Sequence, residues 1–120
     1  MTDFTEPCDI HCTGWWEQTG LGRQPMQPLQ LRLHQNQLTG AGQDIVGEFR
    51  LSGELKADGT LRLVKQYLGR HQVLYAGIYD GEGTLSGVWD VGFDHGRWLI
   101  RFNKVASQTT PDITDLRPPR

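Results

Sequence analysis

Four polar side chains in the middle of the chain share one parity. Lys65 and Tyr67 follow Leu61 and Leu63 at every second position, and His71, Val73 and Tyr75 resume the alternation beyond Leu68-Gly69-Arg70. In an extended strand, residues two apart line one face. With the leucines marking the inward face, an ammonium, an imidazole and two phenols come together inside the protein. A buried ammonium needs a partner or is driven towards neutrality. A carboxylate or phenolate on a bound small molecule would meet that need, which makes Lys65, Tyr67, His71 and Tyr75 candidate polar anchors for a ligand. In the structural alternative, Lys65 snorkels outward and the tyrosines fill core.

The remaining polar residues read as turn chemistry. Asp44 precedes Ile45, which the alternation Ile45, Gly47, Phe49, Leu51 places inward, so Asp44 has outward parity and is expected to satisfy backbone amides in a turn. Asp90, beside Trp89, is likewise expected outside, and Asp94 and His95 fall in a Gly-rich turn. No carboxylate has a visible partner, so no general acid–base pair can be argued. Cys8, His11 and Cys12 form a compact cluster, but a structural zinc site draws on two separated half-sites and no second cysteine pair exists. Ordinary thiols are expected, with a disulfide as the alternative in an oxidising setting. The chain contains no Gly-x-Ser-x-Gly, phosphate loop, dinucleotide fingerprint or His-Glu-x-x-His. Neither a metal nor a cofactor is implied, and nothing is specific to catalysis.

The elements that must position these residues are strands. Leu29, Leu31 and Leu33 alternate with Gln30, Arg32 and His34, while Trp98, Ile100 and Phe102 alternate with Arg97, Leu99 and Arg101. Such segments have one buried and one wet face. Val73 to Tyr79 and Leu85 to Val91 are apolar on both parities. Asp58-Gly59, Leu68-Gly69-Arg70, Asp80-Gly81-Glu82-Gly83 and Phe93-Asp94-His95-Gly96 separate the segments as hairpin turns do. No helical period exceeds two turns. About eight strands result, near 12–18, 27–35, 37–43, 44–53, 60–68, 71–79, 84–91 and 97–104. Closure removes the exposed edges of so short an antiparallel chain. The expected fold is therefore all-β, a single antiparallel up-and-down β-barrel.

The barrel is expected over about 12–105 of one domain spanning 1–120, with a peripheral segment at 1–11 and a peripheral tail at 106–120. Gln18 to Pro28, with Gly20, Gly22, Pro25 and Pro28, reads as a loop over one barrel mouth. Fifteen glycines in 120 residues exceed the usual share of about 7%, and their scatter means turns and kinks rather than a linker. With 12 Lys+Arg against 14 Asp+Glu and no basic run, nucleic-acid binding is not expected. No segment approaches the roughly 18 apolar residues that would span a bilayer, so no membrane partner is expected. The first residues lack the basic and apolar regions of a signal peptide, which points to a cytoplasmic location.

Gly14-Trp15-Trp16, opening the first strand, resembles the Gly-x-Trp start of the calycins: lipocalins, fatty-acid-binding proteins and avidins. The resemblance implies that Trp16 closes one barrel end under a stacked basic side chain, Arg101 or Arg97. The spacing Gly40-x-Gly42-x-Asp44-x-x-Gly47-x-Phe49-x-Leu51-x-Gly53, with Lys65-x-Tyr67-x-Gly69-x-His71-x-Val73-x-Tyr75-x-Gly77 and Gly87-x-Trp89, is similar to small lipocalin-like proteins of unassigned function. It covers about half the chain and implies a fold without an activity. The avidin biotin contacts cannot be laid on this sequence. The paired basic residues of the fatty-acid-binding proteins are missing too, since Asn103 stands two after Arg101.

The leading expectation is a non-enzymatic barrel that binds a small apolar or amphipathic molecule. Phe49, Trp89, Trp98 and Phe102 would form walls, with Lys65, Tyr67, His71 and Tyr75 as anchors. A second is a side-chain-filled barrel that self-associates or binds a protein through the outward stripe Leu74, Ala76 and Ile78. A third is a small lyase or isomerase using His71 and Tyr75 at the barrel mouth.

Overall fold

The computed structural model describes residues 8–105, and the expected tail at 106–120 lies outside them, as do residues 1–7. Eight strands follow one another: β1 (Cys8–Gln18), β2 (Gly22–His34), β3 (Gln37–Gln43), β4 (Glu48–Leu55), β5 (Thr60–Tyr67), β6 (Gln72–Tyr79), β7 (Thr84–Asp90) and β8 (His95–Val105). Each pairs antiparallel with the next, and β8 returns to β1, so the sheet closes as an up-and-down barrel. The alternation of the sequence places its apolar parity inside. Leu29, Leu31 and Leu33 of β2, Phe49 and Leu51 of β4, Leu61 and Leu63 of β5, and Trp98 and Ile100 of β8 are all buried.

Three expectations about the strands need correction. β1 begins at Cys8, because Cys8, Ile10 and Cys12 continue its inward parity and pair with Leu33, Leu31 and Leu29. The presumed mouth loop is mostly strand, since β2 starts at Gly22. Prolines are tolerated there because β3 pairs with β2 only from Leu29↔Gly42 onward, leaving Gly22 to Pro28 bonded to β1 alone. An edge of this kind has no use for the missing proline N–H groups. Finally, residues 44–47 are not strand. Asp44 and Gly47 exchange backbone hydrogen bonds across a tight turn (3.1 Å each), with Gly47 at φ 149°. That turn throws Ile45 out to solvent, whereas periodicity had placed it inside.

The alternation of ends follows from the topology. Turns after β1, β3, β5 and β7 gather at one end, the mouth, and turns after β2, β4 and β6 at the other. Towards that other end the interior is solid, filled by Ile10, Leu33, Leu38, Leu55, Leu61 and Leu85. Gly40 and Gly42 make room for two of the larger inward side chains. A Cβ at Gly40 would lie 2.6 Å from Leu31 Cδ2, and one at Gly42 would lie 2.7 Å from Phe49 Cζ and 2.8 Å from the Pro28 carbonyl oxygen. Gly42→Val should therefore overpack the core and lower stability by about 2 kcal/mol in urea unfolding. An unchanged midpoint would show that the wall yields.

Candidate functional site

Where β3 leaves β2, the Asp44–Gly47 turn lets the Asp44 carboxylate drop into the barrel. Its Oδ2 accepts hydrogen bonds from Lys65 Nζ (2.7 Å), Tyr67 OH (2.7 Å) and Trp16 Nε1 (3.0 Å), and its Oδ1 accepts the Val46 N–H (2.9 Å). The carboxylate still serves a backbone amide as its turn position suggested. The outward placement expected for Asp44 does not hold, because the Asp44–Gly47 turn breaks the strand alternation. Lys65 is 1% exposed and also donates to Tyr75 OH (3.1 Å) and Met26 Sδ (3.5 Å). Its ammonium lies 4.3 Å from the Phe49 ring centre, 4.8 Å from Tyr67, 5.3 Å from Tyr75 and 5.6 Å from Trp16. All three ammonium hydrogens are thus engaged, inside a cage of aromatic faces.

These contacts set the electrostatics. Burial by itself would raise the Asp44 carboxyl, but the Lys65 charge and the bonds from Lys65, Tyr67 and Val46 outweigh it and hold the group below the ordinary carboxylate range. Burial pushes the Lys65 ammonium down to about 8, and the charge of Asp44 limits the fall. Tyr67 and Tyr75 are raised well above an ordinary phenol, first by burial and then by the neighbouring carboxylate. At neutral pH the cluster is an ion pair with two neutral phenols and no net charge.

Above the cluster, at the mouth, lies a cavity of about 430 Å³. Trp16, Val46, Tyr67, Val73, Trp89 and Val91 wall it, Lys65 and Tyr75 reach its floor, and Gln18, His71, Gln72 and Phe93 stand at its rim. Trp16 and Trp89 meet edge to face, with centroids 6.1 Å apart, and Trp89 Nε1 is anchored on the Glu17 carbonyl at 2.9 Å. The expected anchors Lys65, Tyr67, His71 and Tyr75 therefore all border one space, as does Trp89. His71 lies in the turn before β6, exposed, with its ring 5.2 Å from that of Tyr67.

The other expected wall residues sit elsewhere. Phe49 is wholly buried beneath the ammonium, and Trp98 stacks on Tyr75 with centroids 4.9 Å apart. Phe102 packs against Tyr79 at 5.7 Å, towards the far end. Nor does a basic side chain stack on Trp16. Arg97 is directed to Glu17 and Arg101 to Thr84 Oγ1 on the outer surface, while Arg23 lies 3.7 Å over Trp15 instead. Lys65, from inside, supplies the cation that faces Trp16. Cys8 and Cys12 are buried free thiols about 13 Å apart by strand rise, too far for a disulfide between them. His11 projects outward from between them, so the three do not converge on a metal.

Asp44 is the functional residue that periodicity missed. The available signals were an Asp-x-x-Gly turn at Asp44–Gly47 and the charge that a buried Lys65 must find. Comparison with protein-family models, curated proteins and solved structures finds no match for the chain. Geometry alone therefore speaks for the site.

Removing one member of a buried pair leaves the other charge stranded, which typically costs 3–5 kcal/mol. Lys65→Met and Asp44→Asn should each destabilise by about that much in urea unfolding, and Asp44→Asn/Lys65→Met by clearly less than their sum. Additive losses would mean the pair does not interact. The pH dependence has a definite sign. The folded-state pKa of Asp44 is depressed, so its contribution is complete above the unfolded value near 3.8 and fades as pH falls through the folded value. The stability gap between wild type and Asp44→Asn should narrow below about pH 4, as the wild-type carboxylate takes up its proton.

Proposed function

We propose that the mouth cavity binds a small, uncharged, mainly apolar molecule, and that the chain is a lipocalin-like binding barrel rather than a solid one. The observation that carries this reading is the position of the 430 Å³ cavity directly over a cluster whose charges already cancel. Its volume is at the lower end of the roughly 300–1,000 Å³ found for ligand sites, suited to one or two rings rather than a long acyl chain. The eight-strand meander and Gly14-Trp15-Trp16 within β1 support the lipocalin-like part of the reading.

Ligand charge follows from the floor. Strand parity alone makes a ligand carboxylate the natural partner for Lys65. With Asp44 at 2.7 Å, a ligand anion would have to displace an internal carboxylate, and a ligand cation would face the ammonium. Either costs desolvation without a free counter-charge. A neutral hydroxyl or carbonyl costs least. The Tyr67 hydroxyl, which donates to Asp44, keeps a lone pair for a ligand donor, and His71, Gln18 and Gln72 offer polar contacts at the rim. Trp16 and Trp89 present rings against which an aromatic ligand can pack.

The test compares 1-naphthalenemethanol with 1-naphthoate, following tryptophan fluorescence and the melting temperature. The neutral compound should bind at least tenfold tighter, and at a concentration 100 times its Kd it should add about 2.7 kcal/mol of stability. Val73→Phe should weaken binding by filling the cavity. Tighter binding of naphthoate, or no shift with either compound, would refute the neutral-ligand reading.

A second reading rests on the outer wall. Leu74 and Ile78 of β6 are more than half exposed, and Ala76 between them pairs with the exposed Val88 of β7. A contiguous apolar stripe of this kind suits contact with a second copy. Sedimentation velocity should show a dimer that Leu74→Lys converts to monomer; a monomer at every concentration rejects this reading.

A further inference from the structure

The large apolar side chains exposed at the ends of the barrel are not distributed at random. Each of the four turns at the mouth carries one: Leu21 after β1, Ile45 after β3, Leu68 after β5 and Phe93 after β7, with exposures of 47%, 66%, 45% and 92%. The three described turns at the opposite end carry none; they are Gln35-Asn36, Lys56-Ala57-Asp58-Gly59 and Asp80-Gly81-Glu82-Gly83. Turn tips are ordinarily polar, and a Phe exposed at 92% gains nothing from the folded protein itself. One apolar residue per turn, at one end only and encircling the cavity, has the form of a docking ring.

We propose that the mouth docks on a zwitterionic lipid surface by inserting Leu21, Ile45, Leu68 and Phe93. Spacing favours lipid over a folded partner. Mouth turns are separated by two strand spacings, about 10 Å, so the four tips are separate points around an opening rather than one patch. A rigid partner would need a matching socket for each tip, whereas the headgroup–acyl boundary deforms around isolated apolar side chains. Charge selects the kind of surface. Within the four mouth turns the charges are Arg70, which is exposed, and Asp94, which is half-buried and accepts a hydrogen bond from Gln18, while Asp44 is buried against Lys65. Among the described mouth turns there is no basic cluster to seek anionic lipid.

The barrel would stand on the surface rather than enter it, since Arg32, Arg50, Arg62 and Arg101 are exposed on its outer wall. The expectation of no membrane partner rests on the lack of a spanning segment in the sequence. Four single residues on four turns leave no such trace. Docking does not depend on the ligand reading, although it would bring the cavity of that reading to face the lipid.

The experiment is flotation of the full chain with phosphatidylcholine vesicles, with and without 20 mol% phosphatidylserine, at low and high salt. Wild-type protein should float with pure phosphatidylcholine independently of salt, and Leu21→Ser/Ile45→Ser, two turn residues that do not line the cavity, should lower the partition coefficient at least tenfold. Because both side chains are exposed, that variant should keep the wild-type melting temperature. Absence of flotation, equal flotation of the variant, or binding that requires phosphatidylserine and disappears in salt would each overturn the proposal. So would a salt-resistant dimer that the variant converts to monomer without any vesicle binding by the wild type, which would assign the ring to a second copy. Retained naphthalenemethanol binding in a variant that no longer floats would separate loss of docking from loss of the cavity.

Discussion

An ammonium group inside an apolar barrel must have an anion within reach, and this requirement organises the mouth end of the molecule. Lys65 lies on the inward face of β5 with Leu61, Leu63 and Tyr67, and no rotation of the strand can expose it without exposing them. The anion comes from Asp44, in a turn two strands away along the sheet. Three elements are tied by its carboxylate alone: Trp16 of β1, the turn after β3, and Lys65 and Tyr67 of β5. Substitution of the pair by well-packed apolar residues would serve stability about as well. What the pair supplies here is a fixed turn and a polar floor in a space that would otherwise fill with leucines.

The barrel thus divides into two parts along its axis. At the far end, leucines and isoleucine interlock, while Gly40, midway along β3, accommodates Leu31, and Gly42, next to the mouth turn, accommodates Phe49. Towards the mouth, the inward positions are taken by Trp16, Met26, Lys65, Tyr67, Tyr75 and Trp89, whose rings and polar tips cannot interlock as tightly. The cavity is the consequence. Its wall is rigid for the same reason: Trp89 is tethered to Glu17, Trp16 to Asp44, and Tyr75 lies between Lys65 and Trp98. On the proposed function, a cavity held by its own hydrogen bonds would lose little entropy when a ligand enters.

Periodicity made most of this barrel legible. Period two is enforced wherever one strand face is buried, so Leu29 to Leu33, Leu61 to Tyr67 and Trp98 to Ile100 announced their inward sides, and Lys65 and Tyr75 came with them. It failed where the backbone left the sheet. Ile45 is apolar and sits in apparent register with Phe49, yet the Asp44–Gly47 turn reverses its direction and points Asp44 inward. It failed again at Pro25 and Pro28, which read as loop although they lie in the half of β2 that pairs with β1 alone. Phe49, Trp98 and Phe102 had the right parity, but the depth at which each packs is set by neighbours that parity does not name. Parity continued through the Leu68-Gly69-Arg70 turn groups His71 with Lys65. It does reach the rim, but from the solvent side.

The central claim is that Lys65 is a buried ammonium held by Asp44, and the side-chain nitrogen itself reports on it. The chain has lysines at 56, 65 and 104, so a spectrum of protein labelled with ¹⁵N-lysine is simple to assign by substitution. A protected ammonium resonance belonging to Lys65 should be visible at neutral pH, titrate near 8, and vanish or shift strongly in Asp44→Asn. A Lys65 signal that exchanges rapidly with water, titrates at the ordinary lysine value and ignores Asp44→Asn would contradict the account. It would mean that the side chain turns outward and that the mouth has no charged floor.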